Sequence, residues 1–232
     1  MTINNKILIV EDEEHIRKFV RINLERNGFV VLEADTGEKG IDIARTESID
    51  VVVLDIMLPG IDGFEVCKIL RQELPRIGII MLTAKSQDID KIMGLEYGTD
   101  DYMVKPFNPM ELVLRVKSLI RRMELTTEGD LDTITDPPFR IDTYSRRFFK
   151  DQKEVELTPT EYSIIKLFIE NPGKAFNRDE ILNLVWGYDF VGDSKIVDVN
   201  IRRLRSKVEK DPSNPYYIET VWGVGYRWRD KE

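Results

Sequence analysis

VVVLDIMLPGIDGFEV, residues 51–66, decides the fold of the first half of this chain. Four apolar residues run straight into Asp55. The run is too short for a helix and lacks the alternation of a half-exposed strand, so residues 50–54 predict a strand covered on both faces. Gly60 and Gly63 supply turn positions, and residues 64–74 return to helical spacing. The same rhythm extends in both directions. KILIV at 6–10 predicts a first strand, and residues 14–26 a helix with Ile16, Phe19, Val20 and Leu24 on one face, ended by Asn27-Gly28. Residues 29–32 predict a strand and 37–45 a helix. GIIML at 78–82 predicts a fourth strand, residues 89–97 a helix stopped by Gly98, and 101–104 a short fifth strand. Residues 108–122 predict a last helix, with Asn108 as N-cap, Pro109 at its first position and Glu111 three after the cap. Strands and helices in strict succession predict an α/β domain: a five-stranded parallel sheet with helices on both faces.

The polar residues that follow these strands converge. Glu11 and Asp12 follow the first strand, Asp55 the third, Thr83 the fourth and Lys105 the fifth. Open parallel sheets bind ligands at the carboxyl ends of their strands. Three neighbouring carboxylates repel one another, and a hard divalent cation such as Mg²⁺, which takes a few carboxylates plus water, resolves the conflict. A cation there would neutralise an incoming phosphoryl group while Lys105 and the Thr83 hydroxyl hold its oxygens, leaving Asp55 as nucleophile. Taken singly, each of these residues is more often a cap, a turn residue or a surface charge. All five standing at strand ends is hard to obtain from turn chemistry alone. Histidine-dependent chemistry is nearly excluded, because His15 is the single histidine and reads as a surface residue. The one cysteine, Cys67, fits a reducing compartment and forms no intramolecular disulfide.

Composition bounds the rest. The 232 residues allow two small domains, and 42% hydrophobic content is enough for packed cores, which excludes wholesale disorder. No apolar run approaches the roughly 18 residues of a membrane span, and the first residues lack a secretory layout, so a cytoplasmic protein without a membrane is expected. The net charge of −8 sits entirely in residues 1–135, with 17 basic and 25 acidic side chains; residues 136–232 balance at 17 of each. Between Lys195 and Lys210 there are six basic residues and two acidic ones, a local basic helix that suits phosphates.

Three units are expected: a first domain over 1–122, a polar, acidic linker over 123–137 ending in proline, and a second domain over 138–232. The second domain begins with short strands at 139–142, 146–150 and 153–157. Thr158-Pro159-Thr160-Glu161 then supplies a capping box for a helix to about residue 170, and Asn177 with Glu180 repeats the signal for a helix ending near Trp186. A third helix covers about 194–210, and residues 217–228 read as two strands joined through Gly223-Val224-Gly225. Three helices and a hairpin predict an α+β winged helix-turn-helix. In the third helix, Val197, Ile201, Leu204 and Val208 form the inward stripe, while Lys195, Val199, Arg202, Arg203 and Ser206 lie opposite and suit the major groove.

Two sets of motifs carry a resemblance over nearly the whole chain. ILIVEDEE, VVVLDIMLPGIDGFEV, IIMLTAK and GTDDYMVKPF resemble the receiver domain of two-component response regulators. LTPTEYSIIKLFIENPGKAFNRDEILNLVWG and VDVNIRRLRSKVEKDP with YIETVWGVGYRW resemble the effector domain of the OmpR/PhoB subfamily. The resemblance implies a flavodoxin-like sheet of order 2-1-3-4-5. It implies phosphorylation of Asp55 by a partner sensor histidine kinase, with Glu11, Asp12, Asp55 and the backbone carbonyl of Met57 holding Mg²⁺. Thr83 and Tyr102 would be the switch pair, Lys105-Pro106 a cis peptide, and Ala84 small enough to leave Asp55 accessible; Met57 and Lys85 would flank the pocket. It further implies a homodimer on phosphorylation, through the face of the fourth helix, fifth strand and fifth helix. There Lys91, Glu96, Asp100, Asp101, Glu111, Arg115, Lys117 and Arg122 surround Ile92, Leu95 and Val113, pairing Lys91 with Glu111 and Asp101 with Arg115. In the second domain, Asp198, Val199, Asn200 and Arg203 would meet base edges, and Lys195, Arg202 and Arg205 phosphates, on tandem half-sites of double-stranded DNA.

Two positions depart from the subfamily pattern. Ile196 stands where many members have a hydroxyl that contacts phosphate. Trp222 stands where several place an arginine in the minor groove; Arg227 or a phosphate contact from Tyr226 would have to compensate. Residues 187–193 correspond to a segment with which relatives contact RNA polymerase. Two other readings compete with this phosphorylation-switched transcription factor. An enzyme using Asp55 as nucleophile would need a second acid two residues later, where Met57 stands. A regulator indifferent to phosphorylation would not need an intact acidic pocket.

Overall fold

The computed structural model describes residues 5–84, 97–124, 133–188, 190 and 192–230. The chain divides into two compact units, Met1–Arg121 and Arg122–Glu232.

In the first unit, β1 (Lys6–Val10), α1 (Glu14–Arg26), β2 (Val30–Ala34), α2 (Gly37–Thr46), β3 (Val51–Asp55), α3 (Gly63–Glu73), β4 (Gly78–Thr83), β5 (Asp101–Val104) and α4 (Pro109–Met123) follow one another. The strands form one parallel sheet of order β2-β1-β3-β4-β5. Ile7–Val10, Val51–Leu54 and Ile79–Leu82 are inaccessible to solvent, as strands covered by helices on both faces must be. The expected helix at 89–97 falls almost wholly outside the described residues.

Close packing beneath the sheet's carboxyl edge depends on Gly63. A Cβ there would stand 2.1 Å from the Asp55 carbonyl oxygen and 2.8 Å from the Ile56 Cα. Only a residue without a side chain lets α3 begin this close to the end of β3. Asp62 caps that helix by accepting from the Glu65 amide.

The second unit holds a four-stranded antiparallel sheet, β6 (Thr133–Asp136), β7 (Phe139–Asp142), β8 (Arg147–Lys150) and β9 (Lys153–Val155). Three helices follow, α5 (Pro159–Ile169), α6 (Arg178–Val185) and α7 (Lys195–Val208), with a three-stranded sheet of β10 (Ala175–Asn177), β12 (Gly225–Trp228) and β11 (Ile218–Val221). Both expected capping boxes form, at Thr158 with Glu161 and at Asn177 with Glu180.

Two elements correct the sequence reading. β6 lies inside the expected linker, because Thr133–Asp136 pairs in register with Phe139–Asp142 and the proline dipeptide between them is the loop of a hairpin. β10 was not expected. Three residues that follow a glycine turn and end on the helix cap Asn177 carry no period, and their strand character comes from pairing with β12. Phe139, Phe148, Phe168, Phe176, Trp186 and Trp228 fill the core of this unit.

Candidate functional site

The sheet brings the strand-end residues of the first unit together. Carboxylate oxygens of Glu11, Asp12 and Asp55 all lie within 4.8 Å of one another. Glu11 and Asp55 are buried and Asp12 is exposed, so the cluster opens to solvent on one side. From β5, Lys105 reaches across with its Nζ 2.7 Å from Glu11 Oε2 and 3.0 Å from Asp55 Oδ2. Burial opposes charge on Lys105, but its bonds to the two carboxylates hold its pKa above the ordinary lysine value. Burial lifts Glu11 to about 7; the Asp55 charge adds to the rise and Lys105 works against it. Asp55 Oδ1 is buried and accepts no hydrogen bond from the described residues. A buried carboxylate oxygen without a partner, beside two further acids, is a donor set suited to a hard cation.

Thr83 is buried at the end of β4, and its carbonyl accepts from the Lys105 amide at 2.7 Å. The Lys105-Pro106 peptide is cis. Ala84 and Met57 are exposed, and Tyr102 is half-buried. Lys85 lies outside the described residues. A support that sequence reasoning missed stands behind the acids. Arg17 donates from Nη1 to the backbone carbonyls of Glu11, at 2.6 Å, and Asp12, at 3.2 Å, and stands 3.5 Å from Glu33. Its position, about one turn into α1, gave no signal.

The expected pairing face needs correction. Lys91, Ile92, Leu95 and Glu96 lie outside the described residues. Asp100 is fully buried: it accepts from the Arg71 guanidinium and from the Ile79 amide at 3.0 Å, so it belongs to the interior. Val113 is buried as well. Asp101 and Arg115 do pair, but within one chain, through contacts of 2.8 Å to both carboxylate oxygens; Arg115 also holds Glu111 at 2.7 Å. Arg122 is buried at the end of α4. Lys117 is exposed and donates to Asn27 at 2.9 Å. The apolar residues that α4 presents to solvent are Met110 and Leu114. Their spacing of four was legible in the sequence; Val113 lies one position round the helix, on the buried side.

In the second unit α7 carries Lys195 and Arg202 exposed and Val199 partly so. Asn200 is buried; its amide donates to the Ile196 carbonyl at 2.8 Å, and its Oδ1 accepts no hydrogen bond from the described residues. It widens the inward stripe of the helix and is not placed to meet a base edge. Arg203 turns back into its own domain, 3.0 Å from Glu161. Arg205 donates to the Ile218 carbonyl, at 2.7 Å and 3.0 Å, and to Thr220, so it ties α7 to the hairpin. Tyr226 is buried, and its hydroxyl donates to Asp198 at 2.8 Å. Arg178, the first residue of α6, pairs with the same Asp198 at 2.7 Å. It was missed because a basic residue at a helix start has no period to betray it. Arg227 is paired with Glu219 at 2.6 Å, so it does not stand free for the minor groove.

Glu161 anchors this side of the domain. It is buried within its capping box, and its second cationic neighbour is Lys207 at 2.6 Å. Burial alone would raise its pKa, but the charges of Arg203 and Lys207 bring it down to about 2.

Residues 7–117 match the response regulator receiver domain, and residues 152–228 match the C-terminal domain of transcriptional regulatory proteins. The alkaline phosphatase synthesis transcriptional regulatory protein PhoP of Bacillus subtilis is 44% identical over 97% of this chain and 97% of its own. ResD, a transcriptional regulatory protein of the same organism, is 42% identical over 98% and 97%. Among solved structures, response regulator DrrB of Thermotoga maritima aligns over 97% of this chain and 99% of its own, at 34% identity and a TM-score of 0.52. No helix among the described residues is long and apolar enough to cross a membrane. With an acidic pocket at the carboxyl edge of one sheet in its first unit and three helices and a hairpin in its second, this chain belongs to the OmpR/PhoB subfamily of response regulators, a non-enzymatic family of two-component transcriptional regulators that bind DNA.

Proposed function

We propose that Asp55 accepts a phosphoryl group from a sensor histidine kinase and that this event governs dimerisation and DNA binding. The observation that carries the reading is the joint placement of Glu11, Asp55 and Lys105, with one buried Asp55 oxygen that accepts no hydrogen bond from the described residues. The side-chain oxygen of Asp55 attacks phosphorus as the bond to the donor's imidazole nitrogen breaks. Lys105 then exchanges its pairing with Asp55 for the phosphoryl oxygens, and Thr83 with Tyr102 responds as the switch pair. Glu11, Asp12, Asp55 and the Met57 carbonyl are the groups that would hold Mg²⁺, which when bound offsets the negative charge gathered there. Arg17 holds the loop that carries Glu11 and Asp12.

Downstream, α7 enters the major groove with Lys195, Val199 and Arg202 outward, and the dimer occupies tandem half-sites about one DNA turn apart. A dimer through α4, β5 and the stretch before it uses Met110, Leu114 and Lys117 as the solvent-facing part of α4. Residues 187–193 are the candidate contact to RNA polymerase. A DNA target with no membrane-spanning helix among the described residues supports a cytoplasmic protein. The test is incubation with Mg²⁺ and acetyl phosphate followed by intact mass measurement. Wild type should gain one phosphoryl group and Asp55→Asn none; equal gain in both would refute Asp55 as the acceptor.

A further inference from the structure

The start of α1 is built differently from those of α2 and α3. Those two helices begin under side-chain caps, Thr36 and Asp62, each of which accepts from the amide three residues on. Glu13, the residue before α1, makes no such bond. The loop that precedes α1 is held instead from within the helix, by Arg17. Its Nη1 donates to the Glu11 carbonyl at 2.6 Å and to the Asp12 carbonyl at 3.2 Å, bridging two successive peptide groups. Its Nε stands 3.5 Å from one oxygen of Glu33 on β2, and Arg21 holds the other oxygen at 3.0 Å. The Glu11 amide donates to the Ala34 carbonyl at 3.1 Å, so both backbone polar groups of Glu11 are engaged.

The backbone held in this way carries two of three crowded acids. Glu11 and Asp12 are neighbours in sequence, and Asp55 lies close to both. Lys105 pairs with Glu11 and Asp55. Asp12 is exposed, so like-charge repulsion favours turning its carboxylate away into water unless its main chain is fixed. We infer that Arg17 is a positioning residue of the cation site. By fixing the Glu11 and Asp12 peptides it keeps their carboxylates within reach of Asp55, and so sets the affinity for a divalent cation without being one of its donors. The inference rests on the reading of Glu11, Asp12 and Asp55 as the donors to Mg²⁺. Charge and position act here with opposite signs. Through charge alone a guanidinium beside the pocket repels a cation, so its removal would tighten binding. Through position its removal loosens binding, because the acids must then be ordered as the ion enters.

The test is calorimetric titration of the full chain with magnesium chloride at about pH 8, above the titration of Glu11. Wild type, Arg17→Met, Arg17→Lys and Asp55→Asn are compared, and the chemical unfolding of each is followed without Mg²⁺. Arg17→Met should bind Mg²⁺ about tenfold more weakly than wild type. Arg17→Lys keeps the charge but has a single nitrogen in place of the fork, so its affinity should fall between the two. Tighter binding in Arg17→Met would assign Arg17 an effect of charge alone and overturn the inference. Wild-type affinity in a folded Arg17→Met would overturn it as well, even alongside a loss of stability, since the residue would then only support α1. If Arg17→Met does not fold, Arg17→Lys decides: a several-fold loss of affinity supports the inference and wild-type affinity ends it. Asp55→Asn separates the two levels. If it binds Mg²⁺ as tightly as wild type, the reading of the acidic cluster falls and the role of Arg17 with it. If it loses Mg²⁺ while Arg17→Met does not, only the role of Arg17 falls.

Discussion

Glu161→Gln isolates one buried charge in the DNA-binding domain. Glutamine also serves at the third helical position of a capping box, so the helix start is preserved while the charge facing Arg203 and Lys207 is removed. Glu161 titrates near 2 in the folded chain against an ordinary 4.5. At about 1.4 kcal/mol per pKa unit, the ionised side chain stabilises the domain by about 3 kcal/mol at neutral pH. Removing one partner of a buried ion pair costs about 3–5 kcal/mol, which agrees. The sign follows from a depressed folded pKa: the contribution is complete above about 4.5 and is lost as pH falls towards about 2. All three tryptophans lie beyond Arg122, so tryptophan emission during urea unfolding reports this unit alone. The variant should unfold with a loss of about 3 kcal/mol at pH 7, and the gap to wild type should close as pH falls below about 4. A loss under about 1 kcal/mol, or parallel pH profiles for the two proteins, would refute the reasoning.

Three further outcomes follow from the receiver unit. Gly63→Ala should destabilise it by about 2–3 kcal/mol in chemical unfolding, because the added methyl meets the β3 backbone and not a side chain that can move; stability within about 0.5 kcal/mol of wild type would show that α3 can withdraw. Since Glu11 titrates near 7, protons compete with Mg²⁺ for it, and calorimetric Mg²⁺ affinity should fall about tenfold per pH unit below 7 and level off above; a flat profile between pH 6 and 8 would contradict this. Arg71→Met should cost about 3 kcal/mol or more of stability by leaving the Asp100 carboxylate buried without its cation, and Asp100→Asn in the same chain should recover part of the loss; circular dichroism during unfolding reads both.

Much of this architecture was legible because it is periodic or capped. Unbroken apolar runs ending in Asp55, Thr83 and the Glu11-Asp12 pair located the strands and, by topology, the pocket. Thr158 with Glu161 and Asn177 with Glu180 located two helix starts. What escaped was set by tertiary pairing. β6 reads as acidic linker until β7 pairs with it, and β10 is three residues without pattern. Charge by itself was the poorest guide. Asp100, Arg203 and Arg205 read as surface groups, yet each is tied to a partner far away in sequence: Arg71, Glu161 and the β11 carbonyl respectively. Asn200 misled for a related reason, since a polar side chain one turn after Ile196 satisfies its amide on its own helix and can sit inward.

Control of the DNA-binding domain by Asp55 is read out by DNA affinity and oligomeric state with and without a beryllofluoride–Mg²⁺ phosphoryl mimic, in wild type and Asp55→Ala. If Asp55 is the switch, the mimic drives dimerisation and tighter DNA binding in wild type alone. Equal binding by both proteins in both conditions would mean that the receiver does not gate the effector.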